Sequence, residues 1–138
     1  MGNSGNLIGK TRDAGWQIGL KRTLPFQADQ VWEWMLSSAG ADVWLGPGAQ
    51  IEWKKGMKYK LPGGTGGEVR VFKPDSHFRI TRQPGGYPRP SRIQVRIIKR
   101  GEKTLLAFHE EHLPDEKERQ KRKTHYLQVV EKITNDLE

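Results

Sequence analysis

The sequence predicts an α+β domain, a curved antiparallel sheet closed on a long C-terminal helix. Three observations predict it. An alternating strand containing Trp16 leads into a Trp-rich helix that closes on Val43-Trp44-Leu45-Gly46. Several short alternating segments follow, separated by Gly and Pro turns. One long polar helix with a single apolar stripe then runs to the C-terminus. A sheet curved around a helix can enclose a cavity, so the first functional expectation is a domain that binds an apolar ligand or a partner.

Length and composition bound this reading. A chain of 138 residues is most simply one domain. Residues 1–12, rich in Gly and Asn, read as a flexible arm, and 13–138 as the single domain. Five Trp supply large anchors for a core. There is no cysteine, which excludes disulfides, thiol catalysis and Cys-ligated metal. No apolar run is long enough to span a membrane or serve as a signal core, so a cytoplasmic location is expected. The net charge is +8. Its cations are dispersed, from Lys21, Arg22, Lys54 and Lys55 through Arg70, Arg79, Arg89, Arg92 and Arg96 to 117–123. Dispersal favours a solvated surface over a nucleic-acid or anionic-membrane site. For 117–123, on the last helix, a solvated face is the default and an acidic protein partner the runner-up.

The elements follow in order. Over 15–23, Trp16, Ile18 and Leu20 share one face, the mark of a half-buried strand. Pro25 ends it. A helix opens at Ala28-Asp29-Gln30, with Asp29 suited to the first turn. Its stripe is Val31, Trp32, Met35 and Leu36. Ser37 to Gly40 breaks that stripe, and 41–45 forms a second helical turn, stopped by Gly46-Pro47-Gly48. Short strands are expected at 51–53, 57–61 and 68–73, the last with Val69 and Val71 on one face. Pro74-Asp75 signals a tight turn. Phe78 and Ile80 alternate with Arg79 and Thr81 over 77–82. Ile93, Val95 and Ile97 share a face over 92–99. The strand 103–113 is apolar on both faces at its start, as for a strand covered on both sides. Pro114 and Asp115 start the last helix, whose stripe is Tyr126, Val129, Val130, Ile133 and Leu137.

Taken together, several segments resemble a known family. Thr11 to Gly19 resembles its opening strand, and Val31-Trp32 with Trp44-Leu45-Gly46 its first helical pair. Gly67-Glu68-Val69-Arg70-Val71 and Phe78-Arg79-Ile80-Thr81 resemble its central strands. Lys103-Thr104-Leu105 through Phe108-His109-Glu110-Glu111 and Leu113-Pro114-Asp115 resemble its last strand and turn. Arg119 and Tyr126 stand where the final helix carries an Arg and an aromatic. The family is the SRPBCC superfamily, with its Bet v 1/START-like helix-grip fold, in the group similar to the activator of Hsp90 ATPase. The resemblance implies about seven antiparallel strands, two short helices after the first strand, and a cavity under the C-terminal helix. Two positions depart from the pattern. Tyr126 replaces the usual Trp, and Arg82 follows Thr81 where a Trp is frequent. Both make the pocket wall more polar.

The expected lining is Trp44, Tyr59, Val69, Phe78, Ile80, Ile93, Val95, His109, Tyr126, Val130 and Ile133. The aromatics supply area, and His109 and Tyr126 supply orienting hydrogen bonds. His109-Glu110-Glu111-His112 is the only His/Glu cluster. Alternation sends its members to opposite faces, so no metal site is expected without a bulge. An inward His109 or Glu111 would suit proton transfer. The Gly63–Gly67 run lacks the Lys-Ser/Thr ending and the following helix of a phosphate loop. No cofactor motif occurs. The functional expectation is non-enzymatic binding of a small, mainly hydrophobic or amphipathic molecule. The alternatives are a protein-interaction module related to Hsp90 co-chaperone domains, as the resemblance implies, and a cavity enzyme of cyclase or hydrolase type.

Overall fold

The computed structural model describes residues 9–11 and 15–138. Strand β1 (Lys10–Thr11) pairs with β2 (Gly15–Leu24). Helices α1 (Ala28–Leu36) and α2 (Ser38–Trp44) follow, then β3 (Lys58–Lys60), β4 (Gly66–Lys73), β5 (His77–Arg82), β6 (Ser91–Arg100), β7 (Lys103–Leu113) and α3 (Glu116–Leu137). All seven strands form one antiparallel sheet in the order β1-β2-β7-β6-β5-β4-β3. This is the helix-grip α+β fold, with α3 laid on one face of the sheet. Of the expected N-terminal arm, Lys10 and Thr11 form β1, while residues 1–8 and 12 lie outside the described residues.

Local chemistry sets the boundaries. Gln30 accepts the Gln27 backbone N–H at 3.1 Å and closes the first turn of α1. Ser37 ends α1 and caps α2, its Oγ accepting from the Gly40 N–H at 3.0 Å. The helical turn expected at 41–45 therefore begins earlier. Asp115 caps α3 by accepting from the Glu118 N–H at 2.8 Å, and Glu116 and Glu118 complement the positive end of the helix.

Period two holds along most strands. The inner face of the sheet carries Ile18, Leu20, Phe78, Ile80, Ile93, Val95, Ile97, Leu106 and Phe108, all buried. Against it α3 presents Tyr126, Val129 and Ile133, also buried. Two bulges shift the parity. Val69 pairs with Ile80 and Val71 with Arg79, so β4 carries an extra residue. Phe72 then turns inward, pairing with Phe78 and meeting Trp32 at 5.7 Å, and Val71 does not share Val69's face. The second bulge lies where Trp16 pairs with Leu113 and Ile18 with Glu110. It leaves His112 at a φ of 65°, a left-handed backbone uncommon outside Gly, Asn, Asp and His.

The strand expected at 51–53 does not form. Its backbone bonds locally, Lys54 N–H to the Glu52 carbonyl, and the ladder partner of Val69 is instead Met57. Trp53 still packs, stacking on Trp44 at 6.1 Å and meeting Phe78 at 4.7 Å. Trp34, outside the expected stripe of its helix, is buried too. Its Nε1–H donates to Asp136 Oδ2 at 3.0 Å, fastening α1 to the end of α3.

Candidate functional site

The inner face changes character at one end. Parity along β5 carries Phe78 and Ile80 on to Arg82, and along β7 it carries Leu106 and Phe108 on to Glu110. On β6, Ser91 precedes Ile93 and Val95 on the same face. Register brings them together, since Arg82 pairs with Ser91 and Ile93 with Glu110. On α3, Arg122 stands one turn before Tyr126. Four polar residues thus converge under the helix from four different elements.

Glu110 is fully buried. Its Oε1 accepts from Arg122 Nε at 2.7 Å and from the Tyr126 hydroxyl at 2.8 Å. Its Oε2 accepts from Arg82 Nη1 at 3.0 Å and from the Ser91 hydroxyl. The Tyr126 hydroxyl also accepts from Arg122 Nη2 at 3.2 Å. The Tyr126 ring stacks on Phe108 at 4.7 Å. Outward from this core, Tyr87 accepts from Arg82 at 3.3 Å and donates to Glu118 at 2.7 Å. Tyr59 lies beside the cluster and donates to the Thr81 carbonyl at 2.6 Å. Gly67 makes that approach possible, because a Cβ there would lie 2.5 Å from the Tyr59 hydroxyl.

The charges do not cancel. Arg82 and Arg122 face one buried carboxylate, leaving one guanidinium in excess at the buried core of the cluster. Burial pushes the Glu110 pKa up, but the charges of Arg122 and Arg82 and the hydrogen bonds from Ser91 and Arg122 outweigh it, so Glu110 sits below the ordinary range. Burial raises Tyr126, and Glu110 adds to that. Burial and the bond to Glu118 push Tyr87 up to about 12. These states are mutually consistent: an ionised carboxylate, two cations, and neutral tyrosines. A carboxylate held ionised by two guanidiniums is a weak proton acceptor near neutral pH. The arrangement suits recognition of an anion better than proton transfer.

Of the expected lining residues, Trp44, Tyr59, Val69, Phe78, Ile80, Ile93, Val95, Tyr126 and Ile133 are buried between sheet and helices. They pack against one another. Two expected positions need correction. His109 lies on the outer face, because Leu106, Phe108 and Glu110 hold the inner parity of β7; its Nε2 lies 2.7 Å from Gln17 Oε1. Val130 is only half-buried, since Val129 takes the inward position on α3. Glu111 is also outward and pairs with Arg92 at 3.0 Å. The inward acid of β7 is Glu110. Arg82 and Tyr126, the two departures from the family pattern, both bind Glu110 directly. Among the described residues no group of three His, Asp or Glu is placed to hold a metal ion, and no helix is long and apolar enough to cross a membrane.

Comparison with solved structures finds the same fold. CalU16 from Micromonospora echinospora superposes with a TM-score of 0.77 at 17% identity, covering 91% of this chain and 77% of that one. The Aha1 dimer from Colwellia psychrerythraea gives a TM-score of 0.71 at 14% identity, covering 88% and 96%. PFC0360w, an HSP90 activator from Plasmodium falciparum, gives 0.62 at 14% identity, covering 71% and 74%. At such identities the likeness is one of fold. No curated protein sequence matches the chain. The sequence does match the family model described as Activator of Hsp90 ATPase homolog 1-like protein, over residues 25–138. The chain therefore belongs to the Activator of Hsp90 ATPase homolog 1-like family.

Proposed function

We propose that this chain is a non-enzymatic binding domain whose occupant is a small, mainly hydrophobic molecule bearing one acidic group. The molecule would seat between the sheet and α3, with its acid on Arg82 and Arg122. The observation that carries the reading is the buried pair of guanidiniums facing a single carboxylate. Buried charge is costly unless matched, and an anion would complete the match. The neighbouring aromatics Phe108, Tyr59 and Tyr126 would supply apolar area. In the structure this space is filled by side chains. The reading therefore requires the seam between α3 and the loop of residues 83–90 to open. Tyr87 closes that seam by bonding both Arg82 and Glu118.

A thermal-shift titration tests this, comparing decanoate with decanol. The same chain length with and without the acid separates the anion from the hydrophobic tail. A bound ligand stabilises the native state with the logarithm of its concentration. Decanoate should raise Tm in a dose-dependent way, decanol should do so far less, and Tyr126→Phe should reduce the decanoate shift while leaving the core packed. Equal shifts with both compounds, or none with either, would remove the acid-recognition reading. Native mass spectrometry of gently purified protein adds a check on a co-purified occupant.

One observation favours a second reading, a protein-interaction module related to Hsp90 co-chaperone domains. The interior is filled by its own side chains, with Tyr126, Phe108 and Ile133 nearly or wholly inaccessible. A module that works through its surface needs no cavity. The family description points the same way. A pull-down that captures an Hsp90-type ATPase, with no ligand shift, would favour this reading over the first.

A further inference from the structure

The outer face of the sheet carries a row of cations that the buried site does not use. Registered partners in an antiparallel sheet point to the same face. Lys73 pairs with His77, His77 with Arg96, Arg96 with Ala107, and Ala107 with Lys21. This row crosses five strands, roughly 19 Å at ordinary strand spacing. A parallel row runs from Arg79 through Gln94 and His109 to Gly19. Arg79 reaches Gln94 with a hydrogen bond of 2.6 Å, confirming that the two share a face.

The face is short of anions. Glu111 is already paired with Arg92. Among the described residues, Lys21, Lys73, Arg79 and Arg96 form no ion pair. Their field is felt locally: burial, then the charges of Arg96, Lys73 and Arg79, hold His77 below the ordinary imidazole range. The surface is also indented. Where Gly19 has no side chain and Ala107 only a methyl, a cleft of about 550 Å³ opens, bordered by Lys21, Gln94, Arg96 and His109.

From this geometry we propose that the outer face of β5, β6, β7 and β2 is a docking surface for an acidic, extended protein segment. The occupant follows from charge complementarity and from what the face lacks. Single-stranded nucleic acids are held by cations together with aromatic platforms for the bases. Here Trp32, Trp44 and Trp53 pack with Phe72 and Phe78 inside the fold, not on this face. Carboxylates of an acidic segment need only cations and the Gln94 amide as donors.

The test measures fluorescein-labelled decaglutamate by anisotropy at low and at moderate salt. The intact chain should bind it, more weakly as salt rises. The triple variant Lys21→Glu/Arg79→Glu/Arg96→Glu should weaken binding about tenfold or more. A control with the same change in net charge, Lys54→Glu/Lys55→Glu/Lys123→Glu, should weaken it less than about threefold. The neutral triple Lys21→Gln/Arg79→Gln/Arg96→Gln, less disturbing to the fold, should fall between them, and circular dichroism confirms that each variant is folded. Equal losses in the outer-face and control triples would reduce the effect to net charge and overturn the proposal. So would absence of binding by the intact chain, or tighter binding of labelled oligouridylate than of decaglutamate. None of these outcomes bears on the decanoate test, because the two sites lie on opposite faces of the sheet.

Discussion

At the scale of single residues, Glu110 is the pivot. Its carboxylate is the shared acceptor of Arg82, Ser91, Arg122 and Tyr126. Glu110→Gln keeps the shape and removes the charge, leaving two guanidiniums buried without an anion. The expected loss of stability is about 3–5 kcal/mol by urea denaturation. Glu118→Gln, at a partly exposed pair with Lys121, should cost about 1 kcal/mol or less. A Glu110→Gln cost as small as that of Glu118→Gln would show that the cluster is not held by its charge.

His125 gives a second residue-scale prediction. Its Nε2–H donates to the Trp44 carbonyl at 2.7 Å. Burial, aided by the charge of Arg122, holds its pKa down at about 4. The unfolded imidazole takes up a proton near pH 6.5, the folded one only near pH 4. Stability from this group is therefore complete above about 6.5 and is lost as pH falls toward 4, by a total of about 3 kcal/mol. Glu110 acts in the window below, since its depressed pKa withdraws stability only as pH drops under the ordinary carboxylate range. Urea titrations between pH 7 and pH 4 should show the first loss, and His125→Gln should flatten it. An unchanged slope in that variant would assign the pH dependence elsewhere.

At the scale of elements, the alternation of β5, β6 and β7 decided the site. Phe78, Ile80 and Arg82 share one parity, as do Leu106, Phe108 and Glu110, and Ser91, Ile93 and Val95. The inward cluster was therefore legible in the sequence by extending each apolar parity one step to its polar end. His109, expected inward, shares its parity with Leu105 and Ala107 instead, on a strand whose start is apolar on both faces. Parity alone cannot tell which face is concave there; the partner strand can, because Leu20 pairs with Phe108. The bulge in β4 was not legible, since Val69-Arg70-Val71 alternates cleanly and only the pairing reveals the extra residue. On α3 the stripe was read correctly in Tyr126, Val129 and Ile133, while Arg122 was taken for part of a solvated face. Its spacing of four from Tyr126 was the available signal. Ile133→Ala should cost about 2–5 kcal/mol in thermal or urea unfolding, whereas Leu127→Ala, at an exposed position, should be nearly silent.

At the scale of the whole molecule, the order of elements carried the fold. A strand, two short helices, a run of hairpins and a long helix were all readable, because turn residues and helix caps punctuate them in sequence. The contents of the interior were less so. A curved sheet under a helix reads as a cavity, yet here large aromatics and a polar cluster fill it. The two departures from the family pattern, Arg82 and Tyr126, anticipated that polarity. The net charge of +8 appeared dispersed along the chain, and only strand pairing gathers Lys21, Lys73, Arg79 and Arg96 on one face.

The central claim is that Arg82 and Arg122 receive the acid of a bound molecule. Side-chain Nε–H signals of arginine in nitrogen-15 NMR test it most directly, with decanoate titrated against decanol. The account predicts that decanoate moves the Arg82 and Arg122 signals together, saturably, and that decanol leaves both in place. Arg82 and Arg122 unmoved by decanoate, with changes confined to Arg79 and Arg96 on the outer face, would contradict it.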